Sequence, residues 1–264
     1  MTPEITTSTG IVNMYGSMAQ PIGSVRFQER ECFAAVYHAG MTALASIYTI
    51  EGFAVGADSR RMDMHGQIVT EKAVKIHETR HSDFLGAYGF SGNIALEFTD
   101  GRMLDILDSA KSIASDLTGL HFSGAQDYVE SFCSCLAAKI EAESSGIALP
   151  DKFQLRGMFT GYTGDHAVRV QMELSAVQGY LLRPRLTELV ESPIDFCISS
   201  GSQVVWDEMS QKDRPETLAE AVPFVQQYIF RCISNTTDPY CAHIGGQAQI
   251  ATVTSDGFKW VIRP

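Results

Sequence analysis

Gly52-Phe53-Ala54-Val55-Gly56-Ala57-Asp58-Ser59-Arg60 is an apolar run that ends in a charged turn, the pattern of a buried strand leaving a core. A second apolar run, Ala43 to Ile50, stands just before it, and Thr42 opens that run. Glu51-Gly52 between the two predicts a tight hairpin. Thr42 lies sixteen positions before Asp58, and Lys75, followed by Ile76, comes seventeen after it. The fold is decided by this order of threonine, hairpin, Asp-Ser-Arg and lysine.

At 264 residues, with 45% apolar and 19% charged side chains, the chain suits one sizeable domain with a full core. A net charge of -11 argues against nucleic-acid binding, which needs clustered Lys and Arg to neutralise phosphates. No apolar run reaches the ~18 residues of a membrane span. Met1-Thr2-Pro3-Glu4 has neither a basic nor an apolar signal region, so a cytoplasmic protein is expected. The six cysteines (Cys32, Cys133, Cys135, Cys197, Cys232, Cys241) form no paired framework and are expected to be reduced, mostly buried thiols.

Residues 1–30, rich in Thr, Ser, Gly and Met, look like a flexible leader. Strands are expected at Ala43–Ile50, Phe53–Ala57 and Phe84–Tyr88, followed by helical periodicity over Asn93–Leu117 and Ala125–Ser144. Further strands are expected at Phe153–Tyr162, His166–Leu174 and Tyr180–Leu182, and Phe196-Cys197-Ile198 leads into Ser199-Ser200-Gly201-Ser202. A helix to about Ser210 and another from Glu216 to about Asn235 follow, the second kinked or restarted by Pro223. Gln249–Thr254 and Phe258–Ile262 close the chain as a hairpin. Blocks of strands and blocks of helices exclude an alternating βαβ sheet and fit an α+β fold of two antiparallel sheets between helix pairs.

From about Gly40 to Ile262 the chain resembles the proteasome β-subunit family of N-terminal-nucleophile hydrolases. The likeness rests on Thr42, Asp58-Ser59-Arg60 and Lys75-Ile76. Further along, Gly86-Ala87-Tyr88-Gly89-Phe90-Ser91-Gly92, Phe159-Thr160-Gly161-Tyr162, Ser200-Gly201-Ser202, Pro215-Glu216 through Ala221, Asp238 and Gly245-Gly246 fall in the family's order. The resemblance implies a four-layer αββα sandwich over residues 42–264 and a leader over residues 1–41. It implies a threonine-type peptidase that needs no cofactor or metal and acts on peptides or unfolded proteins. It also implies a homo-oligomer, in a ring or stack, whose ATPase partner, if any, the sequence does not name.

A threonine hydroxyl is a poor nucleophile and needs a base, which a free α-amine with a pKa near 8 on the same residue supplies through a water. By resemblance, Thr42 is nucleophile and base after removal of the leader, Lys75 its electrostatic partner and Asp58 the anchor of that lysine. The N–H of Gly92 faces the oxyanion, and Ser202 and Asp238 orient the amine. The chain departs from the family in three places. The glycine expected just before the nucleophile is Gly40, so an alignment on Gly40 and Leu44-Ala45 sets Met41, which cannot do the chemistry, in place of Thr42. Pro239 to Ile244 replaces a shorter link that contains a serine; either Cys241 or His243 substitutes for it, or the support is missing. Lys75 is one residue late, a shift the loop at His65-Gly66 can absorb, with Lys72 as the fallback.

His77-Glu78-Thr79-Arg80-His81 matches H-E-x-x-H, which on a helix sets two imidazoles on one face for zinc; no clear third ligand presents itself, although Glu97 and His121 lie downstream. Its place just ahead of the strand Phe84–Tyr88 fits a polar loop better. Cys32 has no nucleophile-like spacing to Asp58. The non-enzymatic alternative is an inactive assembly subunit that keeps residues 1–41 as an arm.

Overall fold

The computed structural model describes residues 42–63, 65–98, 100–144, 147–150, 153–181, 184–190, 195–211 and 214–263. The expected leader, with Cys32, Gly40 and Met41, lies outside these residues. Among them run β1 (Leu44–Thr49), β2 (Gly52–Asp58), β3 (Ile76–His81), β4 (Phe84–Gly92), α1 (Ile106–Asp116), α2 (Ala125–Ser144), β5 (Gln154–Thr163) and β6 (His166–Val177). They continue as β7 (Arg185–Val190), β8 (Asp195–Ser200), α3 (Gln203–Ser210), α4 (Leu218–Ser234), β9 (Ala248–Thr254) and β10 (Gly257–Ile262).

One antiparallel sheet has the order β8-β1-β2-β9-β10. The other has the order β6-β5-β4-β3, with β7 and the short strand Tyr180–Leu181 also paired to β6. Alternation along each strand sends neighbouring residues to opposite faces. In β1 and β2, Leu44, Phe53, Val55 and Ala57 face the second sheet and meet Ile76, Ala87 and Met158 there. Ala43, Ala45, Ile47 and Ala54 face the other way, onto Val205, Met209, Val225 and Ile229 of α3 and α4. On the far side, Tyr128, Phe132, Leu136 and Ile140 of α2 cover Tyr88, Phe90, Phe159 and Val170. The layers are therefore α, β, β, α. β2 is buried along its whole length, which is why its sequence is apolar up to Asp58. The α2 side chains stand four apart on one face, and burying each contributes ~2 kcal/mol; Phe132→Ala would cost ~3–5 kcal/mol.

Three expectations are corrected. Ala95–Glu97 pairs with Met103–Asp105 as a ribbon, where a helix was expected. Asp100-Gly101 turns it, and α1 starts only at Ile106, where Asp105 accepts the Asp108 N–H at 3.0 Å as N-cap. Pro223 does not restart α4, which runs unbroken from a Thr217–Glu220 capping box. Pro223 lies on the exposed face, where solvent reaches the carbonyl it leaves without an amide donor. The His77–His81 segment is strand β3, not a loop and not a zinc-binding helix. Residues four apart on a strand are ~13 Å apart, and no group of three metal-ligating side chains occurs among the described residues. Glu97 instead meets His65 at 3.5 Å, and His121 lies 3.8 Å from Asp83.

Candidate active site

The β1–β2 hairpin pairs in unbroken register from Thr49 opposite Gly52 to Leu44 opposite Ala57. That register returns the start of the hairpin to its end. The Asp58 N–H donates to the Ala43 carbonyl at 3.2 Å, and the Ala43 N–H donates to Asp58 Oδ1 at 3.0 Å. Thr42 is two residues before Leu44, on the face that looks toward the second sheet, and is 2% exposed. Lys75, at the entrance to β3, crosses to it: its Nζ donates to Thr42 Oγ1 at 2.9 Å and to Asp58 Oδ1 at 3.0 Å. Lys75 and Asp58 are fully buried, whereas Lys72 is exposed, so the fallback lysine is not the one at the threonine.

The Asp-Ser-Arg turn is held residue by residue. Asp58 Oδ2 accepts the N–H groups of Gly245 at 3.1 Å and Arg60 at 3.2 Å. Ser59 Oγ donates to the Glu71 carbonyl and accepts the Gln247 N–H at 2.7 Å. Arg60 pairs with Glu71 at 3.0 Å. The Gly245-Gly246 pair follows from this crowding. A Cβ on Gly245 would meet Arg60 Cζ at 2.2 Å, and Gly246, at φ +76°, would meet Ser59 Oγ at 2.4 Å.

Burial sets the electrostatics. Desolvation pushes the Asp58 carboxyl up, against the Lys75 charge and the N–H groups of Gly245 and Ala43. Desolvation pulls Lys75 down, against the attraction of Asp58. The group beside the hydroxyl is thus a lysine with its proton loosened, held by a carboxylate that accepts three backbone N–H bonds.

Ser202 and Asp238 form a second bonded unit. Ser202 N-caps α3, with its Oγ accepting the Val205 N–H at 3.1 Å while donating to Asp238 Oδ2. Ser200 pairs with Leu44, so Ser202 follows directly from the strand that flanks Thr42. Asp238 Oδ1 accepts the Tyr240 N–H at 2.9 Å and caps the turn Pro239–Cys241. Of the two candidates in this link, Cys241 is buried, whereas His243 is exposed. Gly92 ends β4 at φ +91°. Among the described residues, no hydrogen bond joins Gly92, Ser202 or Asp238 to Thr42.

The solved structure of the Anbu (Gly-1) mutant from Hyphomicrobium sp. strain MC1 is 12% identical, over 84% of this chain and 85% of that one, with a TM-score of 0.56. Anbu (ancestral beta-subunit) from Yersinia bercovieri is 13% identical, over 83% of this chain and 86% of that one, with a TM-score of 0.54. The fold is proteasome-like. No family model matches the sequence, and no curated protein matches it. The proteasome-like fold thus persists where sequence similarity has almost vanished.

Gln249 of β9 escaped the sequence reading. It is fully buried, accepts the Lys75 N–H at 3.1 Å through Oε1, and donates through Nε2 to the carbonyls of Asp58 and Ala73. It therefore fixes the backbone on both sides of the Lys75–Asp58 pair. The signal was a glutamine inside the apolar run Ala248–Ala251, where a buried polar group must find partners.

Proposed function

We propose that this chain is a threonine-type peptidase that cleaves peptide bonds through Thr42 once the chain is cut before it. The observation that carries this reading is Lys75 Nζ, buried between Thr42 Oγ1 at 2.9 Å and Asp58 Oδ1 at 3.0 Å. A buried ion pair is an expensive way to stabilise a core, and apolar residues of like volume usually do as well or better. Its position beside a hydroxyl fits a catalytic use. The freed α-amine of Thr42 takes the hydroxyl proton, Oγ1 attacks the scissile carbonyl, and the Lys75 ammonium lowers the cost of the alkoxide. The Gly92 N–H faces the oxyanion, and Ser202 and Asp238 orient the amine. The leaving amine departs with a proton, and water then hydrolyses the Thr42 ester. The substrates are peptides or unfolded proteins, no cofactor enters any step, and the working form is a homo-oligomer.

The test is the N-terminal sequence and intact mass of the native protein, together with hydrolysis of a fluorogenic peptide library. A chain that starts at Thr42 and loses all hydrolysis in Thr42→Ala supports the reading. A Thr42→Ala protein as active as the parent ends it. An inert chain that keeps residues 1–41 points to the assembly subunit instead.

A further inference from the structure

We propose that Gln249 is a positioning residue for the Thr42 chemistry: its side-chain amide ties the chain leading into β3 to the end of β2 and so places the Lys75 ammonium at Thr42 Oγ1. The effect on turnover rests on the peptidase reading; the placement of Lys75 does not. Along β9, Ala248 and Ile250 face α3 and α4, whereas Ala251 and Val253 face the second sheet. Alternation sends Gln249 to that second face, opposite Ala57 in the register and one residue from the Ala248–Asp58 pair. Glutamine is mostly a surface residue, yet this one is fully buried. Methionine has a similar length and no polar atom to satisfy, so an amide here is explained by its bonds and not by its volume.

Thr42 and Asp58 belong to the first sheet, whereas Lys75 stands at the entrance to β3 in the second, so its ammonium reaches them across the gap between sheets. Residues 73–75 are in no strand. They lie alongside Asp58-Ser59 instead, where the Ala73 N–H donates to the Ser59 carbonyl at 2.9 Å. Gln249 supplies the other bonds of this contact. Its Oε1 accepts the Lys75 N–H at 3.1 Å, and its Nε2 donates to the Ala73 carbonyl and, at 3.3 Å, to the Asp58 carbonyl. A flipped amide would set its NH2 against an N–H and its oxygen against two carbonyls, so the partners fix its orientation.

A lysine side chain is long and flexible, and here it is held at both ends. Thr42 Oγ1 at 2.9 Å and Asp58 Oδ1 at 3.0 Å hold the ammonium, and Gln249 holds the backbone N–H from which the side chain starts. Without the amide, the Lys75 N–H and the Ala73 carbonyl would be buried and unpaired, a cost that drives the segment toward water. Moving the backbone draws the ammonium away from the hydroxyl. A displacement of ~1 Å in a reacting constellation can cost ~10²-fold in rate. Gln249 touches neither Thr42 nor the ammonium in this arrangement; it acts through Lys75.

Parent, Gln249→Met and Gln249→Glu are compared as purified full chains at a temperature where melting curves show them folded. Gln249→Met deletes the side-chain bonds, while the pairing of β9 with β2 and the Ala73–Ser59 bond remain. For a fluorogenic peptide that the parent cleaves, kcat is expected to fall by about tenfold to a hundredfold with KM nearly unchanged. In Gln249→Glu the protonated carboxyl can accept the Lys75 N–H and donate to the Ala73 carbonyl, whereas the ionised one turns an oxygen against that carbonyl. Its kcat relative to the parent is therefore expected to be highest at acid pH and to fall as pH rises; a residue that only fills space gives a constant ratio. The NMR resonance of isotope-labelled Lys75 Cε, assigned by its absence from Lys75→Arg, reads the placement itself. In Gln249→Met its titration is expected to move toward the ordinary lysine value as water reaches the ammonium, with Asp58, Arg60 and Glu71 around it unchanged. An unchanged kcat, or a Lys75 resonance and titration identical to the parent's, would overturn the proposal. Loss of folding in both variants would make Gln249 structural and overturn it as well. A parent without hydrolysis counts against the peptidase reading, and the Lys75 resonance still decides the placement.

Discussion

Lys75 Nζ and Asp58 Oδ1 stand 3.0 Å apart with almost no solvent access to either side chain. Removing one partner leaves the other charged and buried, so Lys75→Met and Asp58→Asn are each expected to cost ~3–5 kcal/mol. The double variant should lose less than the sum of the two, because the charge is then removed from both sides. It should still fall short of the parent, since the Ala43, Arg60 and Gly245 N–H groups would lack the carboxylate. Urea unfolding of the four proteins measures this, and strictly additive losses would contradict it.

Thr42→Ala removes one acceptor from Lys75 but leaves the Asp58 bond intact. Stability should change by about 1 kcal/mol or less, while hydrolysis disappears. Thr42→Ser keeps the hydroxyl and should retain measurable turnover. Lys75→Arg spreads the charge over a planar fork in place of a compact ammonium, and at this position should lower kcat by about a hundredfold or more. Parallel melting curves and initial rates separate the two effects; a Thr42→Ala protein that loses stability heavily would make the hydroxyl structural.

His77, on the helix-facing side of β3, packs against Tyr88 with the rings tilted and their centroids 5.3 Å apart, and is 8% exposed. Burial is the main reason its pKa falls from 6.5 to about 4. Between those values the unfolded chain binds a proton that the folded one refuses. Stability therefore declines as pH drops through this window, by about 3 kcal/mol for the full shift. Above pH 6.5 the histidine contributes no slope. In His77→Gln, which cannot titrate, the fall between pH 6.5 and pH 4 should be shallower by that amount. Identical slopes in parent and variant, read from denaturant midpoints, would refute the assignment.

The hairpin and Asp-Ser-Arg were legible because strand pairing converts sequence spacing directly into proximity. Once the turn at Thr49–Gly52 is fixed, residue 42 must return to residue 58. Lys75 was harder, because the ribbon Arg61–Met62 with Ile68–Thr70 intervenes and its turn length has no counterpart in periodicity. Strand β3 was missed for a related reason. Its His77, Thr79 and His81 are buried polar residues, with Thr79 bonded to Tyr128 at 3.0 Å and His81 to the Leu120 carbonyl at 2.9 Å. A strand whose inward face is polar looks like a loop until its partners are known. The ribbon of Ala95–Glu97 with Met103–Asp105 misled in the opposite direction: Ile94, Met103 and Leu104 fall at helical intervals by coincidence.

Gly201 carries the last prediction. It sits at φ +138° between β8 and the α3 cap, and an added Cβ would meet the Tyr228 hydroxyl at 2.3 Å. Tyr228 is fully buried in the α4 layer, and its hydroxyl donates to the Ser202 carbonyl at 3.4 Å, so the ring has no free direction in which to yield. Gly201→Ala is therefore expected to lose ~1–3 kcal/mol from backbone strain alone, with the clash adding to it. The backbone must shift at Ser202, the residue bonded to Asp238, so hydrolysis should fall as well. Adding Tyr228→Phe deletes the atom in closest conflict and leaves the next contact at 3.2 Å, which should restore part of the stability while the strain at φ +138° remains. A double variant no more stable than Gly201→Ala alone would show that the clash is relieved by another movement and that Tyr228 does not hold this turn.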